Sequence, residues 1–134
     1  MPEPSFRHPV RIYWEDTDAG GVVFYANYLK FFERARTEWL RALGFAQERL
    51  RLESGVIFIV TDTAVRYLLP ARLDDVLEVT VAITNAGRAR LTLFQQALRG
   101  GVALAEGTIR IACVEAGTFK PCRIPISISE SLAG

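Results

Sequence analysis

Only one histidine, His8, occurs in the chain, and it stands beside Pro9 at the start of an apolar stretch. A Ser-His-Asp or Cys-His nucleophile needs a histidine placed to move a proton, so those mechanisms have no support here. The two cysteines, Cys113 and Cys122, are nine positions apart, fit no zinc spacing and form no C-x-x-C pair. They read as buried or incidental thiols in a reducing compartment. No phosphate loop of the G-x-x-x-x-G-K type and no dinucleotide fingerprint is present. What remains for chemistry is the acidic, glycine-rich run Asp16-Thr17-Asp18-Ala19-Gly20-Gly21.

That run imitates the start of a calcium loop, with acids at its first and third positions and glycine at its sixth. The imitation fails where the fifth ligand would be Gly20 and the twelfth Asn27, since a bidentate glutamate is required there. A second reading makes the acids caps for the coming helix and acceptors for loop N–H groups. A third gives them chemistry. A carboxylate just ahead of a helix N-terminus, in a turn with free backbone N–H groups, sets a base or nucleophile beside an anion site. Thioester hydrolysis needs those two things: a carboxylate to direct water or attack the carbonyl, and donors for the oxygen as it becomes negative. It needs no metal and no cofactor.

The elements around this loop follow from periodicity. Phe6 to Trp14 alternates as a strand, with Val10, Ile12 and Trp14 on one side. Asn27 to Leu43 places Tyr28, Phe31, Phe32, Ala35, Trp39, Ala42 and Leu43 on one helical stripe, with Asn27 as a candidate cap and Gly44 as a stop. The opposite face carries Lys30, Glu33, Arg34, Thr37, Glu38 and Arg41, and Arg36 falls at the stripe's edge, placed to snorkel or to meet a buried acid. Val56 to Leu69, stopped by Pro70, reads as a buried strand. Val76 to Thr84 alternates cleanly, and Asn85-Ala86-Gly87 then turns the chain. Arg90 to Leu98 and Val102 to Glu115 are two further strands joined at Gly100-Gly101, with a bulge expected at Gly107. One strand, one long helix and a four-stranded meander imply an α+β domain with the helix against an antiparallel sheet.

Composition narrows the class. At 134 residues the chain matches the commonest size of one domain, and with half its residues apolar it can build a full core without disulfides. We therefore expect a single domain over residues 1–134. No run approaches the roughly 20 apolar residues of a membrane helix, and no signal-peptide pattern opens the chain, so a cytoplasmic protein is expected. A net charge of +1 gives no bulk attraction to nucleic acid. The basic residues are two lysines against fourteen arginines, a bias that suits phosphate or carboxylate recognition.

The stretch from Arg11 through Asp16-Thr17-Asp18-Ala19-Gly20-Gly21-Val22-Val23, continuing by Asn27-Tyr28 to Phe32-Glu33-Arg34-Ala35-Arg36, resembles the active-site signature of the 4-hydroxybenzoyl-CoA thioesterase family. It is most similar to the YbgC-type branch, the Tol-Pal-associated acyl-CoA thioesterases. Tyr67-Leu68-Leu69-Pro70-Ala71-Arg72-Leu73-Asp74-Asp75 and Lys120-Pro121-Cys122-Arg123-Ile124-Pro125 resemble that branch as well. The resemblance implies a hotdog fold, an antiparallel sheet wrapped around one long helix, and dimers or tetramers with active sites at a subunit interface. It puts the catalytic aspartate at Asp18 and not Asp16, and the N–H that polarises the thioester carbonyl at Tyr25. The branch often has histidine at that position. Tyrosine there matches the 4-hydroxybenzoyl-CoA enzymes, and a backbone donor survives either way. For the coenzyme the resemblance implies basic side chains at the pocket mouth, for which the sequence offers Arg88, Arg90, Lys120 and Arg123. The substrate expected is an acyl-CoA, with an acyl carrier protein as a second possible carrier. Two other classes stay in view: a hotdog dehydratase, which the lack of any histidine beyond His8 disfavours, and a non-catalytic acyl-CoA or acyl-carrier-protein binding module.

Overall fold

A computed structural model describes residues 2–133. The strands are β1 (Phe6–Arg11), β2 (Val56–Tyr67), β3 (Val76–Ala86), β4 (Arg90–Arg99) and β5 (Val102–Glu115), and the helices are α1 (Asn27–Ala42), α2 (Gln47–Ser54) and α3 (Ile126–Ala133). All strand pairs are antiparallel, in the order β1-β3-β4-β5-β2.

The α1 stripe does the central packing. Phe31, Phe32 and Ala35 are completely buried, with Tyr28, Trp39 and Leu40 nearly so, against Leu77, Val79 and Val81 of β3 and Leu91, Leu93 and Ala97 of β4. Burying each such phenylalanine stabilises the fold by about 2–3 kcal/mol. Ala42, expected on the stripe, is exposed. Asn27 does not cap the helix. Ala26 holds that position, while the Asn27 side chain donates to the Asp16 carbonyl at 2.9 Å and ties the helix start to the acidic loop.

Gly107 is not a bulge. It pairs in register with Val65 and Gln95, and a Cβ there would come within 3.2 Å of the Phe32 ring and of Ile109, and 3.3 Å of Val65. The position is small so that Phe32 can lie on the sheet. The register shifts fall elsewhere, between Val60 and Asp62, Ile83 and Asn85, and Ala97 and Leu98. The hairpin at Gly100-Gly101 is as expected, with φ of +56° and +81°, the left-handed pair a two-residue hairpin loop requires.

Four boundaries differ from the sequence expectation. The first strand ends at Arg11, and Trp14 begins a short 3-10 turn, 82 % exposed rather than packed beside Ile12. The β3–β4 turn comes later than Asn85, which pairs with Thr92 as Ala86 does with Leu91, leaving residues 87–89 to reverse the chain. Two short helices, α2 and α3, lie where the sequence suggested none. Most importantly, β2 is an edge strand, mostly exposed and not buried, and it pairs with β5 and not with β3, so the meander has three strands, β3, β4 and β5, and not four.

Candidate active site

The loop between β1 and α1 is closed on itself by backbone pairing. Thr17 bridges Val23, Asp18 N–H donates to the Val22 carbonyl at 2.8 Å, and Phe24 N–H donates to the Asp16 carbonyl at 2.9 Å. A second set of contacts pins it to the segment before β3: Val22 bridges Arg72, and Val23 N–H donates to the Ala71 carbonyl at 2.9 Å. Gly21 makes the reversal possible with a φ of +80°.

Within this loop the two acids have different surroundings. Asp16 is buried, and its Oδ2 accepts the Tyr13 N–H at 2.8 Å. With its carbonyl also occupied by Phe24 and Asn27, Asp16 is fully engaged in holding the loop together. Asp18 is exposed, and among the described residues its Oδ1 accepts only the Gly20 N–H, at 2.8 Å. A side chain at position 20 would crowd that oxygen, since a Cβ would lie 3.2 Å from it.

At the other end of the loop the chain turns into α1. Phe24 and Asn27 N–H groups have carbonyl acceptors, whereas the N–H groups of Tyr25 and Ala26 have none among the described residues. Donors left open at a helix start carry partial positive charge and favour an anion. Beside it lies a cavity of about 250 Å³ lined by Val23, Tyr25, Tyr28, Tyr67, Leu68, Leu69 and Pro70. The rings of Tyr25 and Tyr67 meet edge-on at 6.0 Å, and Tyr28 sits 5.6 Å from Tyr67. The Tyr28 and Tyr67 phenols are both raised, chiefly by burial. Sequence reasoning missed Tyr28 and Tyr67 as cavity residues; their only signal was aromatic character, which α1 and β2 explain equally well.

The basic residues gather at the opposite end of the sheet. Arg88 lies in the β3–β4 turn and Arg90 opens β4; Ile124 N–H donates to the Arg88 carbonyl and Cys113 N–H to that of Ala89, both at 2.7 Å. Lys120 joins through its carbonyl, which accepts the Glu115 N–H at 2.9 Å, and Arg123 immediately precedes Ile124. These four are brought together, but not to Asp18. The eleven residues of β3 separate the Asp18 end from the Arg88 end by about 30 Å.

Arg36 neither snorkels nor meets an acid. Its Nη1 donates to Gln95 Oε1 at 2.9 Å, and the buried Gln95 amide is held in turn by the carbonyls of Phe32 and Thr80. Burial lowers the Arg36 pKa, with Glu33 acting in the other direction.

The comparisons with known proteins agree with the sequence signature. A family model described as the Thioesterase-like superfamily matches residues 12–132. The chain is 44 % identical over 125 residues to the acyl-CoA thioesterase YbgC of Haemophilus influenzae, covering 93 % of this chain and 92 % of that protein. It is 45 % identical over 124 residues to the acyl-CoA thioester hydrolase YbgC of Escherichia coli O6:H1, covering 92 % of each. Among solved structures it is similar to a probable thioesterase from Bartonella henselae, with a TM-score of 0.84, 35 % identity, and coverage of 89 % of this chain and 98 % of that one.

Proposed function

The chain belongs to the thioesterase-like superfamily, and on that premise we propose how this hotdog-fold acyl-CoA thioester hydrolase uses its residues. Asp18 supplies the carboxylate that directs water at the thioester carbonyl or attacks it. The Tyr25 N–H stabilises the oxyanion, and the cavity walled by Tyr28, Tyr67 and Leu68 takes apolar substance next to the reacting carbon. The observation that carries this reading is the closed loop itself: it buries Asp16 and exposes Asp18, and among the described residues it leaves the helix-start N–H groups of Tyr25 and Ala26 without acceptors.

The same reading makes the enzyme a homo-oligomer. Of the two sheet edges, β1 is six residues long and carries Pro9 between Arg7 and Arg11, features that discourage strand pairing, whereas β2 offers twelve residues with Val60 and Tyr67 about half exposed. Two β2 edges paired antiparallel about a twofold axis bring the Tyr67 end of one chain beside the Val56 end of the other. The partner's Arg88, Arg90, Lys120 and Arg123 then lie on the side of Asp18, and the coenzyme's phosphates rest on them. A cytoplasmic location, an acyl carrier protein as a second carrier and a Tol-Pal association are supported by the likeness to the YbgC branch; among the described residues no helix is long and apolar enough to cross a membrane.

The test is an acyl-CoA panel with a thiol reagent, run on the wild type and on Asp18→Asn. Release of free coenzyme A by the wild type alone is the expected result. Coenzyme A released equally by both proteins would remove Asp18 from the mechanism. An alkene product would indicate dehydration, and no product a binding module.

A further inference from the structure

We propose that Cys113 and Cys122 form a reversible intrachain disulfide that weakens the grip of the basic cluster on the coenzyme, an inference resting on the coenzyme placement given above. Their spacing in the sequence hid the relationship. In the fold, the segment after β5 turns back on it: Val114 bridges Pro121, Cys122 N–H donates to the Cys113 carbonyl at 3.0 Å, and the two sulfurs stand 3.6 Å apart. The cysteines therefore face each other across an antiparallel pair. Facing Cα atoms in such pairs are about 5.5 Å apart, within the range a disulfide accepts. Closing the remaining gap takes rotation of the two side chains together with a small shift of the returning segment towards β5.

The position of the pair links it to the site. Cys113 N–H bonds the carbonyl of Ala89, between Arg88 and Arg90, and Cys122 lies between Lys120 and Arg123 on the returning segment. Drawing the two sulfurs together moves that segment against the β3–β4 turn, so all four basic residues shift relative to one another.

The oxidant is a low-molecular-weight disulfide. The thiolate of half-buried Cys122 attacks one sulfur of the oxidant, forming a mixed disulfide and releasing one small thiol. Cys113 then loses its proton and attacks Cys122 Sγ, expelling the second small thiol. The two protein thiols are oxidised, the oxidant is reduced to two thiols, and both protons end on those products. Burial, with the Cys122 thiol adding to it, pushes the Cys113 thiol up to about 12. The second step is accordingly the slow one and accelerates with rising pH.

Incubating the reduced full-length protein with glutathione disulfide tests this, followed by intact mass, free-thiol titration and kinetics. The expected result is loss of both thiols with a mass lower by two hydrogens, reversed by dithiothreitol. Cys113→Ser should instead keep a glutathione adduct, and Cys122→Ser should stay unmodified. On the oxidised wild type, KM for an acyl-CoA should rise by about fivefold, the scale of one surface charge contact, while a short thioester lacking the nucleotide is processed unchanged. A wild type that keeps both thiols or accumulates a stable adduct overturns the disulfide, and an unchanged KM after full oxidation overturns its control of binding. Should Arg88→Ala and Arg123→Ala leave KM unaltered in the reduced enzyme, it is the coenzyme placement that fails, whatever the thiols do.

Discussion

At the scale of single residues, the proposed chemistry rests on the distinction between Asp16 and Asp18. Both acids fit the local pattern, and only the likeness to the thioesterase signature selected Asp18. The fold adds a physical reason, because Asp16 is buried with its carboxylate on the Tyr13 N–H, whereas Asp18 is exposed and accepts one bond from Gly20. Asp18→Asn should abolish turnover with the melting temperature unchanged, since the amide keeps the size and the acceptor but not the charge. Asp16→Asn should do the reverse, retaining most activity while losing about 1–2 kcal/mol of stability through a weakened buried hydrogen bond. Kinetics and thermal melts of the two variants side by side check this, and a greater loss of kcat in Asp16→Asn would contradict the assignment. Arg36 marks a limit of the sequence. Its partner, Gln95, lies 59 positions away at a strand position that alternation assigns to the apolar face, so helical angle alone could not identify it.

The elements were legible where one face meets the core and the other meets water. The alternation of β3 and the aromatic stripe of α1 marked the faces that meet the core, because burial on one side imposes a period, although Thr80 and Ala82 on the other face of β3 are buried as well. β2 was misjudged for the same reason: a β-branched run packs equally well in a central strand or at an edge awaiting a neighbour, and periodicity does not see the neighbour. α2 left no signal because Gln47-Glu48-Arg49-Leu50-Arg51-Leu52-Glu53-Ser54 buries only Leu50. Phe32 of α1 lies over Gly107 of β5 and leaves little room for a Cβ there. Gly107→Val should destabilise by about 1–3 kcal/mol through overpacking, measurable as a lower denaturant midpoint. An unchanged midpoint would mean that α1 is free to lift from the sheet. The loop that leads into β3 should respond to acid. Burial acts upward on the Asp75 carboxyl but is outweighed by the Arg72 N–H and by Arg99, so its pKa sits below the ordinary value. A depressed folded pKa gives stability that is present above the unfolded value and lost as pH falls through the folded one. Melting temperatures of wild type and Asp75→Asn should therefore converge as pH is lowered from about 7 to 3. A gap that stays constant with pH would remove Asp75 from the acid response.

Across the whole molecule, the separation of Asp18 from the basic cluster is the feature the sequence could not reveal. Residue types announced both halves of a site, yet their distance depends on the length and direction of β3. The proposed dimer, with a second copy paired through β2, would reconcile them. Arg88→Ala, Arg90→Ala or Arg123→Ala should raise KM for acyl-CoA with kcat little altered and make it less salt-dependent, because a contact equal in ground and transition states is uniform binding. A thioester without the nucleotide should show no such loss. The most direct measurement of the shared site combines two defective proteins. Asp18→Asn chains are refolded together with chains carrying Arg88→Ala and Arg123→Ala, and activity is read at an acyl-CoA concentration well below the variants' KM. Half the dimers formed at random are mixed, and each mixed dimer holds one site with an intact Asp18 from one chain and intact arginines from the other. The account predicts recovery of about a quarter of wild-type activity, from two proteins that are each nearly inactive alone. Activity no greater than the sum of the separate proteins, in a sample whose mixed dimers are confirmed by mass, would contradict it.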